Sequence, residues 1–200
     1  MPQQPQQKSE TRERIRKTAR RLFGRRGFAD VTIDEIMADA GLTHGGFYKH
    51  FATKEELYAE AITQFSFDGS EAWQRAHIDP SARGPALSKM IVDAYLSKEH
   101  LDDLDGSCPM IGLPSDAARS GPAVKAAYRQ ILEMMAGAFE ANLPADHSAK
   151  RQQALVLVAQ CVGSMVLSRA VGDQMLADEL RQAARDHMFS QLGLDNQTNG

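Results

Sequence analysis

Apolar residues recur along this chain at the three-and-four spacing of amphipathic helices. Ile15, Ala19, Leu22 and Phe23 form one stripe within residues 9–26, and Gly24 and Gly27 close it. Thr32-Ile-Asp-Glu35 and Thr53-Lys-Glu-Glu56 each read as a capping box. In that motif a threonine hydroxyl accepts a free backbone N–H and the glutamate three residues on reaches back. The first box opens a short helix with Ile33, Ile36, Met37 and Ala40 apolar, and Gly41 ends it in a left-handed turn. Another short helix runs from Thr43 through about His50, and the second box then opens a longer one carrying Leu57, Ala61 and Phe65.

Beyond Asp68 the pattern weakens around Trp73, and Pro80, Gly84 and Pro85 mark a break. A helix is predicted from about Ala86 to His100, then loop or very short helix through Pro114. Val124, Tyr128, Ile131, Leu132, Met135 and Phe139 stripe a helix opened by Pro122 and stopped by Pro144. Two more helices span about 148–171 and 174–192. No run of alternating β-branched residues with hairpin turns occurs, so the fold class is all-α, with about nine helices. The expected organisation is a polar tail over 1–8, a helix-turn-helix head over 9–53 and a helical remainder over 54–195.

Composition adds bounds. The chain has 200 residues, 42% apolar and 24% charged, an ordinary globular balance. Met1 to Ser9 is polar with no apolar core, so no signal peptide is expected and a cytoplasmic site follows. Cys108 and Cys161 are too few and too far apart for a disulfide framework or a CxxC site, and the six histidines show no ligand spacing. No metal, no cofactor and no catalytic residue is predicted. GxSxG, phosphate-loop and HExxH patterns are absent, which argues against an enzyme. The uncharged stretch 152–168 approaches the length of a membrane helix. Its Gln152, Gln153, Gln160, Ser164 and Ser168 fit a buried packing helix better, and no membrane contact is expected.

Net charge is −3, yet the stretch 8–26 carries nine basic residues against Glu10 and Glu13. Its local excess is +7, and screening makes the local field the one a phosphate feels. Within residues 32–50, a helix, a short turn and a second helix make a helix-turn-helix, whose second helix can enter the DNA major groove. Gly45 and Gly46 cost helix stability, and a close surface contact would explain them. Phe47 and Phe51 can anchor this helix inward, while Tyr48, Lys49 and His50 offer polar tips. Lys54 starts the next helix beside free backbone N–H groups. A scaffold or protein-binding module without DNA is the rival reading.

These residues carry a resemblance. Ile15 to Phe65 resembles the DNA-binding domain of TetR-type transcriptional regulators. It does so at Ala19-Arg-Arg-Leu-Phe-Gly-Arg-Arg-Gly-Phe28, at Thr32 to Gly41, at Thr43 to Phe51 and at Lys54-Glu-Glu-Leu57. The resemblance implies a homodimer with two heads on a near-palindromic double-stranded operator, about 34–36 Å between successive groove faces. It implies phosphate contacts from Thr32, Thr43, Tyr48 and Lys54, with His44, Gly45, Gly46 and Lys49 nearest the bases. Phe47 and His50 complete the DNA-binding set, His50 as a packing or backbone contact. It further implies a C-terminal pocket for a small apolar ligand that releases a repressor from DNA. Pocket candidates are Phe65, Trp73, Met90, Tyr95, Cys108, Met110, Tyr128, Met135 and Phe139, each of which also suits plain core. Cys108 reads as an inert thiol or as a thiol sensor. Dimer-face candidates are Val158, Val162, Met165, Val166, Arg169, Leu176, Leu180 and Ala184.

Overall fold

The computed structural model describes residues 5–65, 78–79, 81–106, 108–144 and 149–193. Among these residues there is no strand; ten α-helices and one 3₁₀ helix make up the fold. Trp73 lies outside the described residues. The chain divides into two compact units, Met1–Ser66 with Ser107–Ile131, and Phe67–Gly106 with Leu132–Gly200.

The first unit opens with α1, Pro5–Arg26. Its start lies inside the expected polar tail, because proline is tolerated in a first helical turn and the glutamines that follow propagate a helix well. Ile15, Ala19 and Phe23 are buried, and Gly27 ends the helix at φ 81° with its N–H on the Phe23 carbonyl. Helix α2, Ile33–Asp39, has the full capping box: Glu35 N–H donates to Thr32 Oγ1, and Thr32 N–H donates to the Glu35 carboxylate. Gly41 at φ 66° lets Leu42 N–H reach back to the Met37 carbonyl.

The next element, His44–Lys49, realises the short helix expected there as a 3₁₀ helix. Two adjacent glycines weaken the α-helix, and so short a segment is satisfied by the tighter turn. Gly46 N–H bonds the Thr43 carbonyl, and Phe47 is buried beneath it. Helix α3, Lys54–Thr63, follows with Thr53 as its cap. Here the box is only half formed: Glu56 turns to Ala52 N–H at 2.6 Å and to Arg12.

Helices α6, Pro109–Gly112, and α7, Pro114–Arg119, belong to the same unit. A Cβ on Gly112 would stand 3.5 Å from the Gly24 carbonyl oxygen, so α6 meets α1 through small residues. Phe28 N–H donates to Asp116 of α7 at 2.7 Å. Helix α8, Pro122–Asn142, contributes its first half to this unit and its second half to the other.

In the second unit, α4 is Gly84–Tyr95 and α5 is Lys98–Asp102. The single helix expected there is divided at Ser97, whose hydroxyl accepts from His100 N–H and starts a new helix. Carbonyls at the break and at the end of α5 are taken up from elsewhere in the unit. Arg181 donates to the Leu96 carbonyl, and Arg169 donates to those of His100, Leu101 and Asp103. Helices α9, Lys150–Ala170, and α10, Gln174–Gln191, form a hairpin turned by Gly172 at φ 65°. Helix α9 is the one helix among the described residues long and apolar enough to cross a membrane by composition. Ala154, Leu157, Val158, Cys161 and Met165 bury one of its faces, and Cys161 meets Met188 of α10 sulfur to sulfur at 3.8 Å.

Candidate nucleic-acid interface

The helix-turn-helix is α2, a four-residue turn and the 3₁₀ helix. Two aromatic anchors fix the latter from below. Phe47 and Phe51 are buried with ring centroids 5.8 Å apart, and Arg12 of α1 lies 4.0 Å over the Phe51 ring. Thr43, His44, Gly45, Tyr48 and Lys49 are exposed and Gly46 and His50 half-buried, so most of the expected DNA-binding residues reach solvent. Tyr48 is 60% exposed.

Individual roles are more divided than the motif suggests. Thr32 is occupied by its cap: its hydroxyl accepts from Glu35 N–H and donates to the Glu35 carboxylate. Thr43 makes no side-chain cap bond, so its hydroxyl is not spent on the helix end. Lys54 is half-buried, donating to the Phe28 carbonyl at 2.5 Å and lying 4.2 Å over the Phe28 ring. Burial lowers its pKa from the usual lysine value. This ammonium ties α3 to the end of α1, and only its remaining donors can reach a phosphate. Burial also lowers the His50 pKa, with Lys8, Arg12 and Lys49 adding repulsion.

The basic stretch of α1 is largely committed within the head. Arg12 pairs with Glu56 and Glu60, Arg16 with Glu13, Arg21 with Asp39 and Arg26 with Glu35. The Arg16 pair lies within α1, and the others brace α1 against α2 and α3. The Glu35 carboxyl, accepting the Thr32 backbone N–H and then the Arg26 guanidinium, is pulled down to about 2. The sequence pattern gave no warning of one further partner. Asp34 of α2 meets His44 Nδ1 across the turn at 2.5 Å.

Away from the head, Phe65, Cys108, Met110 and Tyr128 fall in the first unit, and Met90, Tyr95, Met135 and Phe139 in the second. Tyr128 donates weakly to the Met110 carbonyl at 3.4 Å, and burial pushes its hydroxyl up to about 12. The dimer-face candidates divide by burial. Val158 and Met165 are buried within the protomer and face inward, and Arg169 is bonded to three carbonyls of its own chain. Val162, Val166, Leu180 and Ala184 are half-buried. The apolar residues that do reach solvent include Leu155, Val156, Leu167, Met175 and the expected Leu176. Val158 and Met165 thus belong to the inward face of α9.

Fold and surface together define a helix-turn-helix head. Residues 15–61 match the family described as bacterial regulatory proteins, tetR family. That match spans 47 of the 200 residues, from within α1 to within α3. The chain is 49% identical over 57 residues to the uncharacterized HTH-type transcriptional regulator YerO of Bacillus subtilis, covering 28% of this chain and 20% of that protein. It is 31% identical over 64 residues to the HTH-type transcriptional repressor KstR2 of Mycolicibacterium smegmatis, covering 32% of this chain and 31% of that one. The chain thus matches between a fifth and a third of the length of these two relatives. A TetR regulator structure from Chloroflexus aurantiacus shares the fold at a TM-score of 0.71, with 19% identity over 95% of this chain and 98% of that one.

Proposed function

We propose that this chain acts as a repressor: a homodimer that binds a near-palindromic duplex operator through residues 9–53 and is released by a small apolar ligand. The observation that carries the reading is the exposure of Thr43, His44, Gly45, Tyr48 and Lys49 beside the buried Phe47 and Phe51. That exposed set has small residues where a backbone must approach base edges and polar tips around them. Residues 54–195 supply the ligand-binding and dimer-forming part, with no catalytic role, and the protein works in the cytoplasm. The named role of KstR2 favours repression over activation. Exposed Leu155, Val156, Leu167, Met175 and Leu176 favour self-association through α9 and α10. Release follows as a population shift. A ligand that prefers one spacing of the two heads weakens DNA binding by its differential affinity, about 1–3 kcal/mol.

The test is selection of duplexes from a random pool by the purified protein at two salt concentrations. A two-fold-related site whose affinity falls steeply with salt is the expected result. Sequence-blind binding, or none, would sink the operator reading, and a monomer at working concentration would sink the dimer.

A further inference from the structure

Two carboxylates stand in the first turn of α2, beside the surface expected to meet DNA, and both are occupied. An uncompensated acid facing a phosphate-lined groove repels it. Glu35 is absorbed by its cap and by Arg26. Asp34 reaches instead to His44, the first residue of the 3₁₀ helix, with the two side chains 75% and 50% exposed. An exposed pair of this kind contributes little to folding. Its consequence is for the ring it holds.

An ionised carboxylate accepts hydrogen bonds and donates none. The contact from Asp34 Oδ1 to His44 Nδ1 therefore assigns a proton to Nδ1 and leaves Nε2 as the nitrogen that Asp34 does not engage. Tyr48 meets the same ring edge-on at 5.9 Å, so the imidazole is restrained from two sides. Beside it, a Cβ on Gly45 would find nothing within 4 Å, and no side chain rises there to keep a base edge away.

We propose that Asp34 is a positioning residue for sequence reading: it holds the His44 ring so that Nε2 meets one defined base pair of each half-site in the major groove. The inference rests on the DNA-binding reading above. A neutral ring presents an acceptor at Nε2, which suits the exocyclic amine of adenine or cytosine. A doubly protonated ring presents a donor, which suits guanine. In either state Asp34 decides which nitrogen is offered.

The experiment uses the full chain and the operator obtained by selection, with every half-site base pair substituted in turn. Binding is measured for the wild type and for His44→Ala, Asp34→Ala and Asp34→Asn, each first checked for an unchanged thermal midpoint. The wild type is expected to prefer one base at one position by roughly tenfold. His44→Ala and Asp34→Ala should both flatten that preference to within about threefold at that same position and leave the other positions alone. Asp34→Asn, whose amide oxygen still accepts from Nδ1–H, should keep most of it. A purely electrostatic role predicts otherwise: Asp34→Ala would tighten binding to all sequences alike with discrimination intact, and that result overturns the proposal. Loss of the preference in His44→Ala but not in Asp34→Ala overturns it too. A wild type that binds no duplex refutes the DNA-binding reading itself, a failure distinct from selective binding that is indifferent to Asp34.

Discussion

The helix-turn-helix and the α9–α10 hairpin each bury an apolar stripe, yet they meet solvent in opposite ways. Around α2 and the 3₁₀ helix the outward residues are polar or charged, and many are already paired: Arg21 with Asp39, Arg26 with Glu35, His44 with Asp34. On the hairpin, Leu167 and Met175 are 53% and 83% exposed. A polar surface held by caps and ion pairs suits a partner that exchanges hydrogen bonds and counterions. An apolar one suits a partner that removes it from water. The contrast predicts different failures when each surface is damaged.

The largest effect should come from the anchor under the polar surface. Phe47→Ala removes a fully buried ring that is the main apolar side chain holding the 3₁₀ helix down. Such a truncation costs about 3–5 kcal/mol. Urea unfolding followed by circular dichroism should show that loss, and duplex binding should vanish with it. A loss below about 1 kcal/mol would mean that the helix is held chiefly by its backbone turns.

The hairpin should respond the other way. Leu167→Lys combined with Met175→Lys places charge on solvent-exposed positions, so folding of the protomer should change by about 0.5 kcal/mol or less per site. Self-association should weaken by about 100-fold or more, close to 2.7 kcal/mol, as read by sedimentation at fixed protein concentration. An unchanged mass would show that these apolar residues are not the contact between copies.

The same contrast explains what was legible in the sequence. Caps and turns are local, so Thr32 with Glu35, Thr53 and Gly41 were readable from a few neighbouring residues. The Ser97 cap, which divides the helix expected over about 86–100, is equally local and was not read. Tertiary facts were not encoded so close by. Nothing near Glu56 announces that it will turn toward Arg12, 44 positions earlier. The +7 stretch was visible as charge, while its consumption by Glu35, Asp39, Glu56 and Glu60 requires knowing what packs against α1. Likewise the period of α9 was plain, but a helix apolar nearly all round does not say which face turns in. That is why Val158 and Met165 read as contact residues and are core.

The two regions should also differ in acid. In the second unit His100 is 4% exposed, with its Nδ1 on the Tyr95 carbonyl at 2.8 Å. Burial holds its pKa below the usual 6.5. A histidine depressed by folding stabilises fully above its unfolded pKa, and that stability is lost as pH falls toward the folded one. Thermal midpoints should therefore decline between about pH 7 and 5. His100→Gln, which keeps a donor for Tyr95, should decline less. Part of the slope should survive, because His50 is depressed in the same direction. Equal slopes in both proteins would show that His100 carries no share.

The smallest effects lie in the two threonine caps, and they separate local from tertiary control most sharply. Thr32 and Thr53 each accept one backbone N–H, from Glu35 at 3.2 Å and from Glu56 at 3.0 Å. Replacing either by alanine should cost about 1 kcal/mol. The glutamates then part company. Glu35 returns to its own cap, so Thr32→Ala and Glu35→Gln should be non-additive. Glu56 is bound to Ala52 and Arg12, so Thr53→Ala and Glu56→Gln should add within about 0.5 kcal/mol, while Glu56→Gln and Arg12→Met should not. Acid sharpens the distinction. Because Glu35 is held at about 2, below its usual 4.5, its contribution is present above 4.5 and lost as pH falls toward 2. Glu35→Gln should remove that share of the acid dependence. Two boxes that behaved alike in these cycles would mean that Arg12 is a bystander, and that the shared Thr-x-x-Glu spacing alone governs both helix starts.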